Sequence, residues 1–154
     1  MALRNIVKEG DPILLKKSRV VDKFDRRLAT LLDDMAETMY ANEGLGLAAV
    51  QVGVLKRAFV ADTGDGLKEF VNPEIIDTQG QQNELEGCLS LPGRSGTTQR
   101  PETVKIKAQD RHGKWHIFKA QGLKARCYCH ENDHLDGILF TERIVNTVPD
   151  LKEE

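Results

Sequence analysis

Long apolar runs are missing from this sequence. The opening stretch, Met-Ala-Leu-Arg-Asn-Ile-Val-Lys-Glu-Gly, holds nothing long enough for a secretory signal, and no later segment is apolar enough to span a bilayer. Excess charge of one sign is missing too. The formal net charge is −2, so neither nucleic acid nor a membrane surface has electrostatic support as a partner. Cysteine is scarce and odd in number. With no secretion signal, Cys88, Cys127 and Cys129 are expected as thiols or metal ligands rather than disulfides, and the cytoplasm is the expected compartment. Internal repeats and low-complexity linkers are absent as well. Gly44-Leu45-Gly46-Leu47-Ala48-Ala49-Val50-Gln51 carries glycines but not the Lys-Ser/Thr ending of a phosphate loop, which argues against nucleotide binding.

What is present suits one soluble domain over residues 1–154. With 40% apolar and 30% charged residues, the chain can bury a real core and is not disordered in composition. Asp11-Pro12 reads as a cap and first helical position for a short turn through Leu15. From Asp25 to Asn42, Leu28, Leu32, Met35 and Met39 recur at helical spacing, which predicts an amphipathic helix packed on the core. The Gly44 to Gln51 stretch is too small and apolar for a plain surface loop; its glycines permit close backbone approach to a ligand or another strand, with a tight loop packed under the core as the alternative. Strands are expected at Arg57 to Asp62, Lys68 to Val71, Glu74 to Thr78, Thr103 to Asp110 and Lys114 to Ala120. Pro92 to Gly96 reads as a loop, Ile138 to Ile144 as extended chain, and Asp150 to Glu154 as a polar tail. The expected class is α+β: a single domain of short, mostly antiparallel strands around a central metal-binding helix.

That helix is the most informative stretch. Leu123 to Leu135 contains no Pro or Gly, and Gly137 offers a stop. His130 and His134 stand four apart and so share one helical face. Two imidazoles so placed can clamp a divalent metal, and the adjacent Glu131 carboxylate can handle the proton of a water held there.

A catalytic site of this kind needs a third protein ligand. Downstream, Phe140 occupies the place where an extended protease motif would put a third His. Glu153 and Glu154 sit in a terminus that is rarely held firmly. Cys127 lies seven residues before His134, about 10 Å along the helix axis, too far for a shared ion. Cys129 points roughly 100° away from His130. His112 and His116 read as exposed hairpin side chains. Cys88 remains, in a loop preceded by Gly87, and a Cys88-His130-His134 set leaves a fourth position open.

Three separated stretches then resemble the peptide deformylase family, in the family's order. They are Gly44 to Gln51, Glu86-Gly87-Cys88-Leu89-Ser90, and His130-Glu131-Asn132-Asp133-His134-Leu135-Asp136-Gly137. The family pattern has Gln before the first metal His, where this chain has Cys129. No direct ligand role falls there, so the expected effect is on helix packing or thiol sensitivity. The resemblance implies Cys88, His130 and His134 as metal ligands, in agreement with the elimination above. It implies one divalent ion, natively ferrous iron, with zinc, nickel or cobalt able to substitute. It implies removal of the formyl group from N-formylmethionyl peptides, met at the ribosome, with release of formate. By the same resemblance, Gln51 and the Leu89 N–H are oxyanion donors. Leu45, Leu123, Arg126 (through its stem) and Cys127 line a methionine pocket, and Gly46 and Gly87 bond the peptide backbone. Two other readings remain open at this point. A metallopeptidase would cleave unformylated peptides, and a structural metal module would show a fourth protein ligand.

Overall fold

Leu28, Leu31, Leu32, Met35 and Met39 form the buried stripe of helix α1 (Arg26–Ala41). Its first turn is capped by Asp25, whose carboxylate accepts the Leu28 N–H at 3.1 Å. The sequence places this helix within a residue at each end. A computed structural model describes residues 2–145, so the expected polar tail lies outside the described residues.

The remaining elements are β1 (Gly46–Ala48), β2 (Ala58–Ala61), β3 (Lys68–Gln79), β4 (Gln82–Gly87), β5 (Ser95–Arg100), β6 (Thr103–Gln109), β7 (Trp115–Gln121) and helix α2 (Leu123–Leu135). One five-stranded sheet runs in the order β1-β2-β3-β6-β7, and β4 pairs with β5 in a separate two-stranded sheet. Every pairing is antiparallel. The expected α+β class is therefore what the chain adopts.

All four residues of β2 are buried because the strand separates two cores. Ala58 and Val60 join the α1 side, while Phe59 and Ala61 join the α2 side. Phe59 stacks on Phe70 at 4.5 Å between ring centroids, and Tyr128 of α2 lies 4.7 Å from Phe70. On β6, Val104, Ile106 and Ala108 face α2, as their alternation predicts. Helix α2 is thus central. Nearly all its side chains from Ala125 to Leu135 are buried, the charged ones included.

Several expectations are corrected. The tight-loop alternative for Gly44 to Gln51 gives way to the close strand approach its glycines permit: Gly46 pairs with Ala61, and a 3-10 turn follows over Ala49–Val52. Asn72-Pro73 does not end a strand. Strand β3 runs through it with a break in register, because Asn72 adopts φ +50° and its side chain bonds both Val21 backbone groups. Strand β4 (Gln82–Gly87) is not among the expected strands. The expected Pro92 to Gly96 loop gives way to β5 at Ser95. Phe140–Arg143 forms a 3-10 turn where extended chain is expected.

Candidate active site

Helix α2 can end where it does only because residue 137 is glycine. Gly137 has φ +74°, and a Cβ there would stand 2.5 Å from the Leu15 carbonyl oxygen. The last turn is closed by the Gly137 N–H on His134 O and the Ile138 N–H on Asp133 O. The metal-motif turn is thereby pinned against the N-terminal segment.

Ligand atoms of Cys88, His130 and His134 lie within 4.8 Å of one another. Cys88 Sγ is 3.3 Å from His134 Nε2. Metal–sulfur and metal–nitrogen bonds of about 2.3 and 2.0–2.1 Å put two ligands of one tetrahedral ion about 3.5 Å apart. This donor set therefore fits a single divalent ion. Among the described residues it is the only such group of three.

His130 is oriented from behind. Its Nδ1 bonds the Glu86 carboxylate, which leaves Nε2 for the ion. Glu86 is itself held by Arg100 at 2.7 Å and by Arg126 at 2.7 Å, and it accepts a bond from Thr98 Oγ1 at 2.7 Å. Arg100 also bonds Asp133 at 2.6 Å, and Arg143 bonds Asp133 from the other side. Burial would raise the Glu86 carboxyl. The His130 and Arg100 bonds outweigh it and hold that carboxyl well below the usual range. Sequence reasoning missed this network. Glu86 and Asp133 were visible only as motif members, and nothing in the sequence pointed to Arg100, Thr98 or Arg143.

Burial opposes a charged His130, but Glu131, Cys88 and Glu86 outweigh it and push it up to about 10. Burial, then the neighbouring His130, hold His134 well below its ordinary value. These surroundings favour one localised positive charge, which suits a cation.

Glu131 is buried, and burial pushes its carboxyl up to about 7. Its Oε2 is 4.0 Å from His130 Nε2, and its Oε1 has no hydrogen-bond partner among the described residues. A Cβ on residue 46 would stand 2.7 Å from Glu131 Oε2 and 3.0 Å from Cys127 Sγ, so Gly46 is what lets β1 pass so close to α2.

Gln51 is also buried. Its Oε1 accepts the Ala48 N–H at 2.9 Å, which fixes the amide so that Nε2 faces Ser90 Oγ at 3.1 Å and Cys88 Sγ at 3.5 Å. The Leu89 N–H donates to no described residue.

These groups stand at one end of a cleft of about 430 Å³, lined by Gln51, Cys88, Leu89, His130 and Glu131. Leu45, Gly46, Gly87, Leu123, Arg126 and Cys127 line it as well. Arg126 offers the cleft its stem, since its guanidinium turns to Glu86 and Thr98. The Cys127 thiol donates to Leu45 O at 3.5 Å, and burial keeps it protonated. Cys129 lies in the core with its thiol pushed up to about 11 by burial, and it does not line the cleft. His116 is paired with Asp110 on the β6–β7 hairpin, away from the site.

The family model for polypeptide deformylase matches residues 3–149. A peptide deformylase of Alkaliphilus metalliredigens is 56% identical over 145 residues, which are 94% of this chain and 99% of that protein. The solved peptide deformylase of Thermotoga maritima superposes with a TM-score of 0.91 at 40% identity, covering 93% of this chain and 98% of that one. A peptide deformylase of Synechococcus elongatus, solved in complex with actinonin, gives a TM-score of 0.90 at 38% identity over 94% of this chain and 80% of that one. The chain belongs to the peptide deformylase family.

Proposed function

We propose that Cys88, His130 and His134 hold one divalent metal ion, and that Glu131, Gln51 and Leu89 carry out amide hydrolysis beside it. The family removes N-formyl groups from nascent peptides, and the ligand set and buried carboxyl of this cleft support that reading here. The carrying observation is the meeting of three ligand atoms within 4.8 Å with a buried carboxyl next to them. When bound, the metal supplies Lewis acidity, polarising a carbonyl and bringing the pKa of water toward neutrality. Glu131 takes a proton from the attacking water and passes it to the leaving amine, so that formyl amide plus water become formate and a free N-terminus. Gln51 Nε2 and the Leu89 N–H donate to the oxygen that gains charge at the formyl carbon.

Leu45, Leu123, Cys127 and the Arg126 stem receive the methionine side chain, and the Gly46 and Gly87 backbones pair with the peptide. Ferrous iron is our assignment for the native ion, with zinc, nickel or cobalt as substitutes. The family resemblance supports that choice, because one thiolate and two imidazoles suit several metals. Formylmethionyl peptides emerging at a ribosome in the cytoplasm are the proposed substrates. Among the described residues no helix is long and apolar enough to cross a membrane. The whole chain, residues 1–154, acts as one catalytic domain.

The test is formate release from a formyl-methionyl peptide by anaerobically prepared iron- or nickel-loaded protein, beside Glu131→Ala at equal metal content. Release by the parent and almost none by the variant is the expected result. Folded, metal-loaded parent that releases no formate would overturn the reading.

A further inference from the structure

Four charged side chains line the cleft: Glu86, Arg126, Glu131 and Arg94. Glu86 and Arg126 are buried and bonded to each other. Glu131 is buried beside the metal ligands. Arg94 differs, because its side chain is 51% exposed at the cleft mouth. Leu45, Leu85 and Leu123, which also line the cleft, are apolar and open to solvent at 44%, 70% and 54% exposure.

We propose that Arg94 selects peptides carrying an acidic side chain downstream of their first residue. The proposal rests on the deformylase reading of this cleft.

The backbone sets Arg94 beside the peptide path. Its N–H bonds Leu91 O, and the β4–β5 register puts Ser95 opposite Gly87. The Arg94 carbonyl oxygen stands 3.6 Å from where a Gly87 Cβ would be. A peptide held along Gly87 therefore passes within reach of the long Arg94 side chain. At present that guanidinium is paired with Glu9, itself 39% exposed. Glu9 is held there by its own N–H on Ser90 O at 2.7 Å. An exposed pair of this kind contributes little to stability. A substrate carboxylate can replace Glu9 on the same planar fork with an equivalent bond. Glu9 thus acts as a built-in competitor that limits the preference.

The test uses formyl-methionyl tetrapeptides with Glu, Gln or Lys placed in turn at positions two, three and four. The readout is the Glu/Lys ratio of kcat/KM within each enzyme. The metal-loaded parent is expected to prefer Glu about two- to fivefold at one position, chiefly through KM, with the preference shrinking as salt rises. Arg94→Ala brings the ratio to one, Arg94→Glu inverts it, and Glu9→Gln enlarges it. A general structural disturbance would slow all three peptides alike and leave the ratio in place. Good turnover of the Gln peptide with a parent ratio of one at every position would overturn the role of Arg94, as would an unchanged ratio in Arg94→Ala. No formate from any peptide would overturn the deformylase reading and this proposal with it.

Discussion

The two helices solve opposite problems. Helix α1 buries Leu28, Leu32, Met35 and Met39 on one side, exposes Arg26 and Arg27 and leaves Asp33 and Glu37 half-buried. Helix α2 has no dry side and wet side. It buries Arg126, His130, Glu131, Asp133 and His134 among apolar neighbours. Burial of that much charge is costly unless each group is paired. For Arg126, His130 and Asp133 the pairing comes from outside the helix, through Glu86, Thr98, Arg100 and Arg143, while Glu131 and His134 face the proposed metal site. Helix α1 is held by area, whereas α2 is held by a bonded ionic lattice that also aims the site.

If that division is right, the largest effects of single changes on turnover fall on the α2 side. Glu131→Ala should cut turnover by about a hundred- to ten-thousand-fold at unchanged metal content, read as formate release against bound metal. Gln51→Ala removes one donor to the developing oxyanion and should cost about a hundred- to a thousand-fold in kcat, again with metal retained. Full turnover by Gln51→Ala would take that side chain out of the chemistry and leave the Leu89 N–H as the protein's donor.

The same division explains what the sequence could tell. Helix α1 was legible because its stripe repeats at helical spacing. Strand β6 was legible because Val104, Ile106 and Ala108 alternate with polar residues and face a real core. Helix α2 was legible through chemistry instead, from two imidazoles four residues apart and an unbroken run between Gly122 and Gly137. The β4–β5 hairpin was not legible, and the reason is physical. Its inward residues are Glu86, Thr98 and Arg100, so a pattern search for apolar alternation finds nothing. The strands that carry the ionic lattice are therefore the ones that hide from hydropathy. Asn72-Pro73 misled for a different reason. The break signal was genuine locally, but Asn72 recovers it by bonding Val21 across the structure.

Paired truncations put the contrast in one experiment. Met35→Ala leaves a cavity under α1 and should destabilise by about 2–5 kcal/mol. Glu86→Ala leaves Arg100 and Arg126 buried without their shared partner and should destabilise by about 3–5 kcal/mol. The stabilities are similar; metal affinity separates the variants. Glu86→Ala frees the His130 ring and should weaken metal binding by about ten- to a hundredfold, while Met35→Ala leaves it unchanged. Equal weakening in both, measured by competition with a chelator in folded protein, would mean that the lattice does not orient the site.

The smallest expected effect lies where α1 breaks its own rule. Asp34 is a buried carboxylate on that helix, and it ties down the N-terminal segment. It accepts the Ala2 N–H at 2.7 Å and Arg4 Nε at 2.9 Å, while Thr38 Oγ1 accepts the Arg4 N–H at 3.0 Å. Burial raises the Asp34 carboxyl, but the Ala2 and Arg4 bonds together hold it below its ordinary value. A carboxyl lowered on folding stabilises the protein above the unfolded-state value of about 3.9, and that contribution fades as pH falls through the folded-state value. Because Arg4 is partly exposed, the clamp should be worth only about 1 kcal/mol. Asp34→Asn should then lower Tm by about 2–4 °C at pH 7, with little difference from the parent at pH 3. A gap that stays constant down to pH 3 would mean that shape, not charge, holds the segment. Asp34 would then belong with the packing of α1 rather than stand as its one counterpart to the lattice around α2.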